Sequence, residues 1–294
     1  MTQKIKYLAI GHCCHDRVGD DNILGGTVSY SSMLAQKLGA DSSMLTSFGD
    51  DFLFEKEFAT RDITVHNIPA EKTTVFENIY VDDSRRQTIL ARAEDITDTD
   101  YKKLDDNYDI VQLSPIADEI DSSLITQVNE GQLCIATPQG WLRQWGGGGE
   151  VSYKPIDWSQ LSQLDVVIIS EEDVPDLKAS LSDIERAVKT LIVTKGTDGA
   201  VVYANKVEAH FPAYPASVID PTGAGDTFAT GFIIRYAQTK ELVESMIFAN
   251  CLASICVEHK GVEFFNHITS VDQRIELYKK NLLDLSAGSP LRIK

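Results

Sequence analysis

Short apolar runs of about five residues recur along this chain, most of them separated by segments of helical length. Lys6-Tyr7-Leu8-Ala9-Ile10-Gly11 opens the pattern as a strand ending at a glycine. Tyr30 to Leu38 has helical period and stops at Gly39, and Met44 to Phe48 returns as a strand. A β-α-β order of this kind requires a parallel sheet with helices on its faces. Asp109 to Leu113, Leu133 to Thr137, Asp165 to Ile169 and Leu191 to Thr194 continue it. Leu181 to Lys189 is helical, and Ala200 to Tyr203 predicts an antiparallel strand near an edge. The last third is helical, over Gly225 to Gln238, Glu241 to Glu258 and Val271 to Asn281. The reading is one α/β domain over residues 1–294, with a mostly parallel central sheet flanked by helices. Gly146-Gly147-Gly148-Gly149 falls too early for a domain linker and reads as a flexible loop.

Residues 62–93 break this rhythm. Ile63-Thr64-Val65, Thr73 to Val81 and Gln87 to Ala91 are β-rich, with a turn at Asp82-Asp83-Ser84 and no helix between them. In the middle strand Val75, Glu77 and Ile79 share one face; Phe76, Asn78 and Tyr80 share the other. The stretch predicts a small antiparallel sheet. Its length favours a lid, built mainly from 12–24 and 62–93, over a decorative hairpin.

The formal net charge of −17 repels nucleic acid and anionic membranes. A nucleotide site would therefore need local help from backbone N–H groups, a helix N-terminus and Mg²⁺. No apolar run is long enough to span a bilayer, and the first residues have no signal-peptide pattern, so a cytoplasmic location is expected. Five cysteines, an odd number, predict reduced thiols. His12-Cys13-Cys14-His15 suggests a metal site, but successive strand side chains point to opposite faces and cannot converge on one ion. A strand end with two buried thiols is the better reading.

The segment richest in chemistry is Val218-Ile219-Asp220-Pro221-Thr222-Gly223-Ala224-Gly225-Asp226-Thr227-Phe228. Pro221 holds Asp220 extended, and two glycines then permit a tight turn. A helix follows with Phe228, Phe232 and Tyr236 as its inward stripe. The loop thus brings unpaired N–H groups and the positive end of a helix dipole to one place, which makes an anion site. Asp226 beside it can take a proton from a hydroxyl attacking a phosphoryl group, or can simply cap the helix. Physics alone leaves both roles open. The loop has no Gly-Lys-Ser/Thr and is not a P-loop.

Asp220 to Phe228 resembles the C-terminal signature of the ribokinase-like (PfkB) sugar kinases, and the resemblance covers nearly the whole chain. Gly25-Gly26 resembles the family's N-terminal signature, Phe48-Gly49-Asp50-Asp51 its Val-Gly-x-Asp segment, and Thr194-Lys195-Gly196-Thr197-Asp198-Gly199-Ala200 its nucleotide turn. A homodimer paired through the lid is left open by the sequence, while the resemblance implies an ATP- and Mg²⁺-dependent kinase for a small sugar or polyol. It makes Gly223, Ala224, Gly225 and Asp226 the anion hole, with Asp226 the base. Asp16 would hold substrate hydroxyls, and Gly26 would lie beneath them with Thr27 and Tyr30 alongside. Thr194, Gly196, Gly199 and Asn250 would border the nucleotide. Asp173 would meet Mg²⁺ through water, and Asp220 and Thr222 match positions that help bind a monovalent cation such as K⁺.

Three positions depart from the family pattern. Tyr30 stands where an asparagine is usual, Ser170-Glu171-Glu172-Asp173 replaces Asn-x-x-Glu, and Thr137 replaces a strand aspartate. Gly11 to Asp16, Gly25 to Tyr30 and Glu71 to Glu77 resemble myo-inositol kinases, which makes myo-inositol the first acceptor to consider. Ribose, fructose, a sugar acid or adenosine are the alternatives, and a non-catalytic ligand sensor on the same fold is the competing class. Arg86, in the insert, and Arg143 are further candidates for a substrate or phosphate contact, against the surface role that lone arginines usually have. A dinucleotide oxidoreductase is disfavoured, because Gly11-His12-Cys13 supplies no glycine fingerprint after the first strand.

Overall fold

The computed structural model describes residues 4–81, 84–104, 107–128, 131–174 and 176–288. The chain begins with β1 (Lys6–Ile10), β2 (Cys14–Val18), β3 (Asp21–Gly25), α1 (Thr27–Lys37) and β4 (Asp41–Phe48). It continues through α2 (Glu55–Ala59), β5 (Thr64–Pro69), β6 (Thr74–Val81), β7 (Ser84–Ala91), α3 (Asp98–Tyr101), β8 (Ile110–Leu113) and β9 (Leu133–Ala136). A hairpin of β10 (Arg143–Trp145) and β11 (Val151–Tyr153) precedes β12 (Val166–Ser170), α4 (Leu177–Ala187), β13 (Thr190–Thr194), β14 (Ala200–Ala204) and β15 (Val207–Phe211). Three helices finish it: α5 (Ala224–Thr239), α6 (Leu242–Val257) and α7 (Val271–Gly288).

Nine strands form one sheet in the order β15-β14-β13-β12-β9-β8-β1-β4-β5. Every pairing from β13 across to β5 is parallel, and β14 and β15 close one edge antiparallel. Both faces are covered. Tyr7 and Ala9 of β1 pack with α1, α5 and α6, whereas Leu8 and Ile10 pack with α4 and the loops on the other side. Burial on both faces is why these strands read as continuous apolar runs rather than alternating ones. Phe228 and Phe232 of α5 are 3% and 0% exposed. They lock the helix, and hence its first turn, against the sheet; truncation of either to Ala would cost ~3–5 kcal/mol.

A second sheet has the order β3-β2-β6-β7. Its two hairpins are antiparallel, and β2 joins β6 in parallel. The sequence placed residues 62–93 together in this sheet. Instead β5 pairs in parallel with β4 at the edge of the main sheet, so the small sheet draws only on 14–25 and 74–91. Nor are the four glycines merely a loose loop. Gly149 adopts a φ of +75°, and a Cβ there would stand 2.4 Å from the Ile89 carbonyl oxygen. The Ile89 N–H donates to the Gly149 carbonyl at 2.9 Å, so the β10–β11 hairpin docks alongside β7. Cys14, Phe76, Ile89, Ile116 and Ala117 fill a small separate core beneath this sheet.

Candidate active site

The expected site residues gather beyond the carboxyl ends of the parallel strands, where open α/β sheets bind ligands. Asp16 lies on β2 shortly after β1, Asp173 follows β12, Thr194 ends β13, and Asp226 lies in the first turn of α5. The loop before α5 is strapped down. Ile219 and Asp220 N–H groups both donate to the Val257 carbonyl, at 2.7 and 3.1 Å. Asp220 accepts from the N–H groups of Thr222 and Gly261, at 2.9 and 3.1 Å. Burial raises the Asp220 carboxyl, but these bonds and nearby Lys260 bring its net pKa below the ordinary value. Asp220 is thus a clamp between loop and helix end, a role that needs no cation.

Gly223 turns into the helix with φ +78° and ψ 1°. A Cβ there would meet the Tyr30 ring at 2.9 Å, so only glycine fits this turn against that ring. Ala224 N–H is taken by the Pro221 carbonyl at 3.2 Å. Among the described residues the N–H groups of Gly225 and Asp226 have no acceptor, leaving two first-turn donors for an anion. A Cβ on Gly225 would meet no protein atom within 4 Å, so the chain itself does not require glycine there.

Asp226 is half-buried, and its pKa is raised from 3.8 to about 6. Burial is the largest cause; the charges of Asp16 and Asp173 add to it, while the Thr27 hydroxyl and Arg143 pull it back. These residues therefore share one electrostatic neighbourhood. Thr27 opens α1 behind Gly25 and Gly26. A Cβ on Gly25 would sit 2.4 Å from Asp16 Oδ2, and one on Gly26 2.3 Å from the His12 carbonyl oxygen. The double glycine thus allows the Asp16 carboxylate to lie directly over the backbone of β3.

Several expected contacts fall elsewhere. Tyr30 is 4% exposed and backs the anion loop from within the core. Arg86 pairs with Glu150 at 3.5 Å, with its side chain 71% exposed, on the sheet face opposite Asn78 and Gln87. Asn250 is 5% exposed, and its amide donates to the Met246 carbonyl of its own helix at 3.3 Å, so it is folded onto α6. Thr194 Oγ1 donates to the Ile169 carbonyl at 3.3 Å. Gly199, with φ +93°, would place a Cβ 2.1 Å from the Phe211 carbonyl oxygen and is needed for the hairpin itself; Gly196 is open.

The sequence reading gave too little weight to others or passed over them. Arg143, a candidate contact there set against a surface role, is 5% exposed, donates to the Ile116 carbonyl at 3.0 Å and lies 5.7 Å from the Phe76 ring centroid. Its signal was faint: a lone arginine between Trp141-Leu142 and the glycines. Asn78 Nδ2 reaches Asp16 Oδ1 at 3.4 Å, and Gln87 Nε2 donates to Asn78 Oδ1 at 2.9 Å, giving a polar ladder across the small sheet. The strand alternation already put Asn78 on the Phe76 face, but not beside Asp16. Gln139 Nε2 donates to Asp173 Oδ1 at 3.1 Å.

Among the described residues no three His, Cys, Asp or Glu side chains converge to hold a metal ion, and His12 to His15 is no exception. All five cysteines are free and buried. A Mg²⁺ would rest on donor phosphates and water, as this hard cation commonly does, with Asp173 accepting from coordinated water. The residues fit that arrangement. No helix among the described residues is long and apolar enough to cross a membrane.

The family model for pfkB family carbohydrate kinases matches residues 158–268. A nucleoside kinase of Methanocaldococcus jannaschii is 24% identical over 273 residues, covering 87% of this chain and 86% of that protein. An inositol 3-kinase of Arabidopsis thaliana is 24% identical over 280 residues, covering 89% and 76%. Among solved structures, a pyrophosphate-dependent kinase in the ribokinase family, complexed with a pyrophosphate analog and myo-inositol, superposes with a TM-score of 0.76. It is 20% identical and covers 87% of this chain and 96% of that one. In its fold the chain is ribokinase-like, and in the Asp220 to Phe228 loop at the head of α5 and in these relatives it is similar to the carbohydrate kinases of the PfkB family.

Proposed function

We propose that the protein transfers the γ-phosphoryl group of Mg²⁺-bound ATP to a hydroxyl of a cyclic polyol, with myo-inositol the first choice. The observation that carries this is Asp226: a half-buried carboxylate raised to about 6, in the same turn as two N–H groups without acceptors. The acceptor hydroxyl lies against Asp226, which takes its proton as the oxygen attacks. The Gly225 and Asp226 N–H groups and the dipole of α5 hold the phosphoryl oxygens. Mg²⁺ supplies charge neutralisation on the donor phosphates. Asp16 accepts from two acceptor hydroxyls, with the amides of Asn78 and Gln87 extending the polar surface beside it. The 14–25 and 74–91 sheet closes over the acceptor and excludes water. The sequence likeness to inositol kinases and the inositol 3-kinase relative support the choice of acceptor.

A pyrophosphate donor is the second reading. Asn250, expected beside an adenine, is folded onto its own helix, and a donor without a base would not use it. A matrix of ATP or pyrophosphate against myo-inositol, ribose, fructose and adenosine tests both choices. The highest kcat/KM is expected for ATP with myo-inositol. A better acceptor among the other three sinks the polyol assignment, and no transfer in any combination leaves a ligand sensor.

A further inference from the structure

His12 lies outside the mechanism above, yet it is fully buried where the chain crosses between the two sheets. The chain crosses four times: between β1 and β2, β3 and α1, β5 and β6, and after β7. His12 is on the first crossing. Its carbonyl oxygen lies against Gly26 on the second, where a Cβ would come within 2.3 Å. Its Nδ1 is 2.8 Å from Thr74 Oγ1 on the third, and its Nε2 is 2.7 Å from the Glu94 carbonyl on the fourth.

The proton positions follow from the partners. A carbonyl can only accept, so Nε2–H donates to Glu94. Burial, the largest influence, lowers the imidazole pKa and keeps the ring neutral, so Nδ1 accepts from the Thr74 hydroxyl. That hydroxyl oxygen accepts the Ala93 N–H at 2.9 Å, tying the third crossing to the fourth a second time. On the main-domain side the His12 N–H donates at 2.9 Å to Glu119, which is fully buried and also holds the N–H groups of Ile116 and Ala117. The imidazole is thus fixed from behind and holds both ends of the β6–β7 arm, the first residue of β6 and the segment that leaves β7.

We propose that His12 is the hinge pin of the small sheet, a positioning residue that sets how that sheet closes and so where Asp16 carries the acceptor relative to Asp226. This rests on the closing role given to that sheet above. Asp16 lies on β2, two residues past Cys14 where that strand begins, so an error at the pin reaches the acceptor directly. A loose hinge would still bind the donor but would let water compete with the acceptor.

The test uses His12→Ala and the near-isosteric Thr74→Val, with Thr74→Ser as the conservative rescue. Hydrogen exchange over β6 and β7 and donor hydrolysis without acceptor are measured, neither of which depends on which acceptor is correct. His12→Ala and Thr74→Val are each expected to speed exchange in β6 and β7 and to raise acceptor-free donor hydrolysis by about tenfold, the factor that one ordinary hydrogen bond represents. Donor affinity stays unchanged, and Thr74→Ser restores both readouts. Wild-type exchange and wild-type acceptor-free hydrolysis in Thr74→Val, whatever its melting temperature, would overturn the proposal. Failure of the acceptor panel with the exchange result intact would instead count against the choice of polyol and leave the hinge standing.

Discussion

Asp226→Asn should make the protein more stable and nearly inactive, and the stability gain should disappear in acid. The folded-state pKa of about 6 lies above the ordinary 3.8, so ionised Asp226 works against the fold. The sign follows from linkage: below about 4 the group is protonated folded and unfolded and costs nothing, and above about 6 it is ionised in both and the full cost is present. A shift of about two units corresponds to at most ~3 kcal/mol. Asp226 is only half-buried, so screening by solvent reduces the figure to ~1–2 kcal/mol. Asn keeps the shape and can keep the contact with Thr27 while removing the charge that Asp16 and Asp173 oppose. For a chain of 294 residues the gain is a rise in Tm of about 2–3 °C at pH 7.5. The assay is thermal unfolding of wild type and variant, free of nucleotide and Mg²⁺, from pH 4 to 8. The same variant should lose about 10²–10⁴-fold in kcat while keeping donor affinity. A variant that is no more stable at pH 7.5, or whose gain persists unchanged at pH 4, refutes the electrostatic account. Near-wild-type kcat would make Asp226 a helix cap and no base.

Turnover of the wild type should fall tenfold per pH unit below about 6, because only ionised Asp226 accepts the proton; a flat kcat/KM profile from pH 5 to 8 excludes it as the titrating base. Gly225→Ala should fold with wild-type Tm, since its Cβ meets no protein atom, yet lose transfer as the methyl enters the anion site; unchanged kcat would move the phosphoryl group elsewhere. Asp173→Ala should raise the Mg²⁺ concentration needed for half-maximal rate more than it raises the acceptor KM, as titrations of each will tell. Asp16→Ala should weaken acceptor binding by about tenfold and spare the donor, since paired hydroxyls lose their acceptor; equal losses on both sides would refute a role confined to the acceptor.

Tertiary structure decided what local pattern could not reach. The β-rich stretch 62–93 carries no mark telling where one sheet ends and another begins. Residues 64–69 join the main sheet because β4 offers an open edge beside them, which is a long-range fact. Arg143 and Arg86 look alike in sequence, yet one is buried under Phe76 while the other pairs with Glu150 in solvent. Asn250 has the helix and spacing of a base contact, but its amide bonds within α6. His12 stood in the sequence as part of a doubtful metal cluster, and only the meeting of four crossings gives it work.

The sequence by itself determined the rest. Apolar runs spaced by helical segments require a parallel sheet covered on both faces, because only burial on both sides makes successive strand residues all apolar. The glycine turn entering a helix at Gly223 determined a set of first-turn N–H donors, the place proposed for the anion, since backbone N–H groups there need no tertiary partner to exist. What the sequence could not determine is the proton affinity of Asp226. That depends on burial and on Asp16 and Asp173, which lie more than 200 and more than 50 residues away along the chain and act through space.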